Sequence, residues 1–262
     1  MNGSGRIYLE HLAVGTERWA DGYPMLAENL GGRWVHGGDA GGFAPCQLAY
    51  RNDMRLEIIS PAGPEAGFMR RFLDRSGPGP HHITFAVPSL EAALAAVATL
   101  GVTTFDGREL PFRREAFLHP KKAGIGTLLQ LVESDEEVMS QFNPPEPDGF
   151  PARAAEPADI AWIGLTADSA EFAADLFGGA LGGDLAESGP GWHLFSWGPH
   201  RRLLVRQSPA RPGMPALWAV PAGVAHLAIG DPHLSPSDLR TAQPAEYDPR
   251  LGLRVWYVAG GD

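Results

Sequence analysis

Three features are scarce or missing in this chain of 262 residues, and each one excludes a class of protein. A single cysteine, Cys46, rules out an intramolecular disulfide and is expected to be a small buried or half-buried thiol. Basic residues number 21 against 31 acidic ones, so the net charge is −10, which argues against nucleic acid as a partner. No apolar run is long enough for a signal peptide or a membrane helix, and we therefore expect a cytoplasmic protein that does not bind membranes.

Glycine and proline are abundant, at 33 and 24 residues, which favours short strands joined by many turns. Residues 135–157 are acidic at first and then proline-rich, as is typical of a linker. We therefore predict one domain over residues 5–134 and a second over residues 158–262, which are either separate domains or two halves of one pseudo-symmetric body.

The first of these domains contains the same order of predicted elements twice. An apolar strand begins each unit, in RIYLEHLAV and in HHITFAV. A helical segment follows, with Thr16 and Ser89 as the expected N-caps and Gly31 and Gly101 at the helix ends. Each unit closes with strands, the last of which are MRLEIISP and GTLLQLVE. The order β-α-β-β-β, found twice, predicts an α+β fold.

Each unit carries a histidine on its first strand and an acid or amide on its last. The pairs are His11 with Glu57 and His82 with Gln130, at nearly the same spacing. Since alternate residues of a strand share a face, all four side chains are predicted to point away from the helices and toward a cleft. Two imidazoles, a carboxylate and an amide suit a divalent metal ion with open positions. A carboxylate in the middle of an apolar strand is also costly to bury without such a partner.

The second half repeats the pattern but has lost most of the candidate ligands. When its strands are aligned with those of the first half, Trp162, Val205 and Trp256 replace three of the candidates, and His226 takes the place of His82. One imidazole gives little affinity for a divalent ion. The second half is therefore expected to be a packing partner or a pocket lined by tryptophan.

These paired units with their strand histidines resemble the vicinal oxygen chelate superfamily, which includes glyoxalases, bleomycin resistance proteins and dioxygenases. The segments GPGPHHITFAVPSLEAAL and FLHPKKAGIGTLLQLVE are similar to the second unit of methylmalonyl-CoA epimerase. The resemblance implies curled mixed sheets around a cleft, in two tandem domains. It also implies one divalent ion (Co, Ni, Zn, Mn or Fe) and a small-molecule substrate with adjacent oxygens. The implied ligands are His11, Glu57, His82 and Gln130.

The chain departs from the epimerases in two respects. Their ligands run His, Gln, His, Glu along the chain, whereas here the carboxylate comes in the first unit and the amide in the second. The epimerases also share a second catalytic glutamate in the middle of the first unit. Between Glu28 and Asp53 this chain has only Asp39 as an acid.

Three functions are compatible with the sequence. The first is an enzyme of the epimerase, isomerase or glyoxalase-like lyase type, which removes a proton next to a carbonyl with Glu57 as the base. The second is a non-haem Fe(II) extradiol dioxygenase, because His11, Glu57 and His82 form a set of two histidines and one carboxylate. Gln130 counts against it, since those dioxygenases have a glutamate on that strand. The third is a resistance-type binding protein without activity. A monomer or a homodimer is expected.

Arg55 lies on the same predicted strand face as Glu57. It either orients that carboxylate, meets an anionic substrate or forms a surface salt bridge. Three histidines are predicted to stay outside the ligand set: His81 faces the core, His119 lies in a turn or beside the ligands, and His36 is exposed.

The first half also has one basic patch. The sequence supports two interpretations of it equally, a site that attracts a substrate carboxylate or phosphate and a solvated turn. Its members are Arg113, Arg114, Lys121 and Lys122.

Overall fold

The computed structural model describes residues 5–63, 67–110, 112–135, 138, 141, 144–151, 156–207, 223–230 and 246–258. The first half forms a mixed sheet of eight strands. These strands are β1 (Tyr8–Gly15), β2 (Arg33–Gly37), β3 (Phe43–Ala49), β4 (Arg55–Pro61), β5 (Gly79–Ala86), β6 (Thr104–Leu110), β7 (Arg113–Leu118) and β8 (Leu128–Ser134).

The two predicted units join into this one sheet, whose strand order is β2-β3-β4-β1-β5-β8-β7-β6. Within each unit the first and last strands are parallel neighbours, β1 with β4 and β5 with β8. The antiparallel pair β1 and β5 joins the units at the middle of the sheet. The predicted fold class, α+β with paired β-α-β-β-β units, is therefore confirmed. Because the four strands with the candidate ligands are adjacent, their side chains share one region of the sheet.

The helices are short. They are α1 (Trp19–Tyr23), which continues as a π-helical turn (Pro24–Asn29), α2 (Gly67–Ser76), α3 (Leu90–Ala98) and α4 (Ala170–Ala174), which continues as a second π-helical turn (Asp175–Ala180).

One predicted N-cap is confirmed and the other is wrong. Ser89 caps α3 as predicted, since its Oγ accepts a hydrogen bond from Ala92 N at 3.2 Å. Thr16 does not cap α1, which has Arg18 at that position. The reason is that Thr16 N still donates to Ile59 O of β4, which keeps the chain extended there.

The second half forms a mixed sheet with the same arrangement. Its order is β10-β11-β12-β9-β13-β15-β14, which matches the first sheet except for one outer strand among the described residues. The strands are β9 (Ile160–Ala167), β10 (Asp184–Gly189), β11 (Trp192–Ser196), β12 (Arg202–Gln207), β13 (Gly223–Gly230), β14 (Glu246–Asp248) and β15 (Leu253–Val258).

The register of the second sheet corrects one alignment made from the sequence. Leu204 pairs with Gly164 as Glu57 pairs with Ala13, so Leu204 and not Val205 occupies the position of the carboxylate. The alignment was one residue out because Leu204 stands four residues before the Ser-Pro-Ala segment that both halves contain, whereas Glu57 stands three residues before it.

One continuous apolar core includes residues of both sheets. The Phe85 ring lies 4.9 Å from the Trp197 ring, and Asn52 exchanges two hydrogen bonds with the backbone of Ile160, at 2.9 and 3.2 Å. Cys46 is buried in this core as predicted. The domain bounds 5–134 and 158–262 stay predictions. None of the helices in the described parts of the chain has the length and apolarity needed to cross a bilayer.

Candidate metal centre

Three of the four predicted ligands meet on one face of the first sheet. His11 comes from β1, Glu57 from β4 and His82 from β5, and their donor atoms all lie within 4.8 Å of one another. Glu57 Oε2 is 3.6 Å from His11 Nε2 and 3.9 Å from His82 Nε2. Two donors that each lie about 2.1 Å from one ion are at most about 4.2 Å apart, and both distances meet that limit. The three residues are 3%, 8% and 7% exposed, so such an ion would be shielded from bulk water.

Two β-bulges position the histidines. The β1–β5 pairing shifts between Leu9 and His11 and again between Ala13 and Val14, which leaves Glu10 and His81 as the additional residues. A bulge bends its strand and redirects the neighbouring side chains. Each histidine ligand candidate therefore follows directly after a bulge residue.

The bulge explains why the prediction for His81 was wrong. We expected this side chain to face the core, but its Nδ1 lies 2.9 Å from Nδ1 of His82. Its ring also packs against Phe72 of α2, with the centroids 4.8 Å apart. Strict alternation of side chains along a strand holds only while the pairing is regular, and the additional residue breaks it.

Gln130 lies beside the cluster and is linked to it through a hydroxyl group. Thr84 Oγ1 is 3.0 Å from His11 Nε2 and donates to Gln130 Oε1 at 2.7 Å. The amide of Gln130 in turn donates to Glu115 Oε2 at 2.9 Å. The structure thus brings His11, Glu57 and Gln130 onto one face, with Gln130 in an outer position.

The charges of the cluster are strongly coupled. Burial alone would lower the pKa of His11, but the carboxylates of Glu57 and Glu10 raise it to about 9. Burial raises the pKa of Glu57, and the charge of His11 more than compensates, so the net direction is downward. Burial, with the charges of its neighbours, holds the pKa of His82 well below its usual value. Without a metal, His11 is therefore a buried imidazolium beside an ionised Glu57.

Two residues of this region were missed from the sequence. Glu10 Oε2 lies 3.6 Å from His11 Nδ1, and Gln47 Nε2 lies 3.5 Å from the same nitrogen. The signal for Gln47 was available, because a polar residue between Cys46 and Leu48 in an apolar strand faces away from the core. Glu10 could not be found this way, since its position depends on the bulge.

Arg55 is bound by these two residues and not by Glu57. Its Nη1 donates to Glu10 Oε1 at 3.3 Å and to Gln47 Oε1 at 3.1 Å. Burial raises the pKa of Glu10, but the hydrogen bond and charge of His11, with the charges of Arg55 and Arg113, lower it to about 2. Arg55 therefore acts on Glu57 only through its neighbours.

The remaining predicted histidines are also placed by the structure. His119 is exposed in a turn as predicted, where its Nδ1 accepts a hydrogen bond from Lys121 N at 3.3 Å. His36 was expected to be exposed, and this is wrong: it is half-buried and pairs with Gln47 across β2 and β3. That pairing puts it on the face of the candidate ligands.

The structure divides the basic patch between the two faces of the sheet. Arg113 shares the face of the cluster. It is four residues from Phe117 on β7, so both side chains point to the same side of the sheet, and Phe117 pairs with Gln130. Arg114 points to the opposite face, 3.3 Å from Glu109. Lys122 donates to a threonine at 2.9 Å and lies away from the cluster.

The corresponding face of the second sheet is apolar. A buried cluster stands at the positions of the polar residues of the first sheet and contains Ala161, Trp162, Leu194, Leu204 and Ala228. The backbone of His226 pairs with Gly164 as His82 pairs with Ala13, and its side chain lies outside the described residues. Among the described side chains, the second half has no cluster of histidines and acids that would hold a metal.

The fold and the cluster define a protein of paired β-α-β-β-β units with a candidate divalent-metal site at their junction. Residues 11–116 match the family described as the Glyoxalase/Bleomycin resistance protein/Dioxygenase superfamily. The match begins at the first candidate ligand, and it confirms the resemblance that the strands and their histidines indicated. No curated protein sequence matches the chain.

Several solved structures are similar to about half of the chain. A methylmalonyl-CoA epimerase from Mycobacterium tuberculosis is 24% identical, with 53% of this chain and 97% of that one covered at a TM-score of 0.45. A methylmalonyl-CoA epimerase from Streptomyces coelicolor, in complex with 2-nitronate-propionyl-CoA, is 23% identical, with 50% and 99% covered and a TM-score of 0.43. A hypothetical protein from Bacillus halodurans is 24% identical, with 49% and 95% covered and a TM-score of 0.44.

Proposed function

We propose that the protein is a divalent-metal-dependent enzyme that removes a proton next to a carbonyl group of a small molecule. The observation that carries this proposal is the buried cluster of His11, Glu57 and His82, whose donor atoms lie within 4.8 Å of one another. The superfamily match over residues 11–116 supports an enzyme with such a site. Epimerases, isomerases and glyoxalase-like lyases all belong to this reaction class.

The donor set fits a divalent metal ion. His11, Glu57 and His82 would hold it, and Gln130 is the candidate for a fourth ligand. When bound, the ion supplies a Lewis acid that polarises a carbonyl oxygen and makes the neighbouring C–H bond more acidic. The set contains one carboxylate and two imidazoles, so a divalent ion keeps a net positive charge there.

The residues of the chain prepare the proton transfer. In the metal-free protein Glu57 is ionised, because the attraction of His11 outweighs the burial that raises its pKa. A bound divalent ion would supply the positive charge in place of the His11 proton, so the carboxylate would stay in the form that accepts a proton. In the metal-free protein Thr84 Oγ1 lies 3.0 Å from His11 Nε2, while Glu10 and Gln47 face Nδ1 on the other side of the ring. If Nε2 bound an ion, Glu10 would still lie beside Nδ1 and would keep the ring aimed at Glu57.

The role of Glu57 is tested with the variant Glu57→Gln. We expect this variant, after loading with Mn²⁺, to lose the exchange of substrate protons with deuterated solvent across a panel of acyl thioesters and 2-oxo compounds. Glu109→Gln, an exposed carboxylate on β6, is the control and keeps full exchange. Exchange at the wild-type rate in Glu57→Gln would show that another group is the base.

A second candidate is a non-haem Fe(II) dioxygenase, and the same ligand set favours it. Two histidines and one carboxylate leave open positions for oxygen and substrate on iron. Elemental analysis of protein purified without chelators separates the candidates, since one equivalent of iron favours the dioxygenase and Co, Ni, Zn or Mn favours proton chemistry. Oxygen uptake with catechols by anaerobically Fe(II)-loaded protein then tests the dioxygenase directly. Failure to take up any metal would leave only a binding protein.

A further inference from the structure

Arg113 stands at the rim of the candidate metal centre with one end of its guanidinium fixed. Its Nε donates to Glu115 Oε2 at 3.0 Å, and the same oxygen accepts the bond from Gln130. The side chain is 27% exposed, so it is in reach of a molecule that enters from solvent. Glu115 therefore holds the arginine in place without using the outer nitrogens.

The outer end of this guanidinium is available. Among the contacts that the described residues make, neither Nη atom of Arg113 has a hydrogen-bond partner. The two Nη groups of an arginine form a planar fork that matches the two oxygens of a carboxylate. A fixed fork with free donors is an anion site that needs little reorganisation to bind.

The position of Arg113 is close enough to the centre to act on it. Arg113 Nε and Gln130 Nε2 donate to the same Glu115 oxygen, and Gln130 is linked through the hydroxyl of Thr84 to His11 Nε2. Burial dominates the pKa values of Glu57 and His82, and the positive charge of Arg113 contributes to lowering both. An anion bound on the outer side of Arg113 would thus lie on the same face of the sheet as the candidate metal ion.

The charges of the face favour an anionic ligand. Glu10 faces Arg55 at 3.3 Å and Glu115 faces Arg113 at 3.0 Å, and Arg201 lies beside Glu10. With Glu57 as the remaining carboxylate, a divalent ion and neutral imidazoles would make the net charge of these groups positive. A net positive charge is complementary to a carboxylate.

We propose that Arg113 binds a carboxylate of the substrate, so that the substrate class is a small anion carrying a carboxylate next to the group that chelates the metal. This inference rests on the proposed metal-dependent function. Arg55 is the less suitable arginine, because Glu10 and Gln47 both accept from its Nη1 on the side of His11 away from Gln130.

The test compares two kinds of chelator on the Mn²⁺-loaded full chain by isothermal titration calorimetry. Acetohydroxamate has only the chelating group, and the monohydroxamates of malonate, succinate and glutarate add a carboxylate at increasing distance. We expect at least one of these acids to bind about tenfold more tightly than acetohydroxamate, the size of a charge-assisted hydrogen bond. The variant Arg113→Met should lose that preference and still bind acetohydroxamate within about twofold of the wild type.

Three variants complete the test. Arg114→Met, the neighbouring arginine on the opposite face, is the matched control and keeps the preference. Arg113→Lys keeps the positive charge but not the planar fork, and it is expected to retain part of the preference for the carboxylate-bearing chelators. This partial retention would show that the loss in Arg113→Met does not come from a folding defect. Loss of the preference in Arg55→Met together with its persistence in Arg113→Met would overturn the assignment.

The outcomes also separate this inference from the proposed function. Equal binding of all four chelators by the wild-type protein overturns the carboxylate site and leaves the metal centre intact. If the chain takes up no Mn²⁺ and acetohydroxamate does not bind, the metal centre and the carboxylate site both fall.

Discussion

Metal binding to the His11–Glu57–His82 cluster is expected to release about one proton. In the metal-free protein burial opposes a charged imidazole, but Glu57 and Glu10 raise the pKa of His11 to about 9. The pKa of His82 lies well below its usual value, mainly because of burial, so this ring is already neutral. An ion that binds His11 must displace a proton, whereas His82 has none to lose.

The size of the effect follows from the pKa of His11. Below pH 9 the ion competes with a bound proton, and its apparent affinity should rise about tenfold per pH unit from neutrality toward pH 9, then level off. The variant Glu10→Gln removes one of the charges that raise this pKa without removing a candidate ligand. The plateau should therefore begin at a lower pH, and fewer protons should be released at neutral pH.

Calorimetric titration with Zn²⁺ in buffers of different ionisation enthalpy measures the number of protons released. Repeating it between neutral pH and pH 9 gives the slope of the affinity. An affinity that does not change with pH, and no released proton, would refute the assignment of a charged His11. An unchanged plateau in Glu10→Gln would show that Glu10 does not influence the ring.

Three further predictions concern stability. The pKa of Glu10 is lowered from 4.5 to about 2, so the ionised carboxylate stabilises the folded protein fully above pH 4.5 and loses this effect as the pH falls toward 2. Urea unfolding of the metal-free protein should therefore show a free energy of unfolding that falls over this pH range. The fall should be smaller in Glu10→Gln. Gly252 has φ +56°, and a Cβ there would collide with the carbonyl of Pro78. Gly182 has a similar φ of +64° but open space around it, so Gly182→Ala should cost only the backbone strain of about 1 kcal/mol. Gly252→Ala should therefore lower Tm more than Gly182→Ala. Asn52→Ala removes two buried hydrogen bonds between the halves and should cost about 2–3 kcal/mol in urea unfolding; a loss below 0.5 kcal/mol would contradict that role.

The sequence predicted the part of the site that depends on local alternation. His11, Glu57 and His82 were assigned to one face because a regular strand has a period of two residues, and the structure brings them together. The order of elements along the chain was also predicted, since each unit repeats the same elements. A pattern along one strand therefore sufficed for these three side chains.

The features that were missed depend on contacts between distant segments. The bulges at Glu10 and His81 arise from the pairing of β1 with β5, which no single strand reveals. Helix α2 (Gly67–Ser76) was not predicted, although Met69 and Phe72 lie beside Gly15 of β1 and the Phe72 ring packs against His81. Arginines and an aspartate interrupt the apolar residues of this segment, which obscured its helical period.

The second sheet has bulges at the same positions as the first, which makes it a scaffold for redesign. There too the β9–β13 pairing shifts twice, with Ala161 and Ala225 as the additional residues. The backbone geometry that positions the candidate ligands of the first sheet is thus present in the second sheet as well, and the two copies differ there in their side chains. Trp162→His together with Leu204→Glu would return two donor groups to backbone positions already shaped for them. The backbone geometry would therefore permit a second metal centre, but the buried apolar side chains around it would make the burial of charged groups costly.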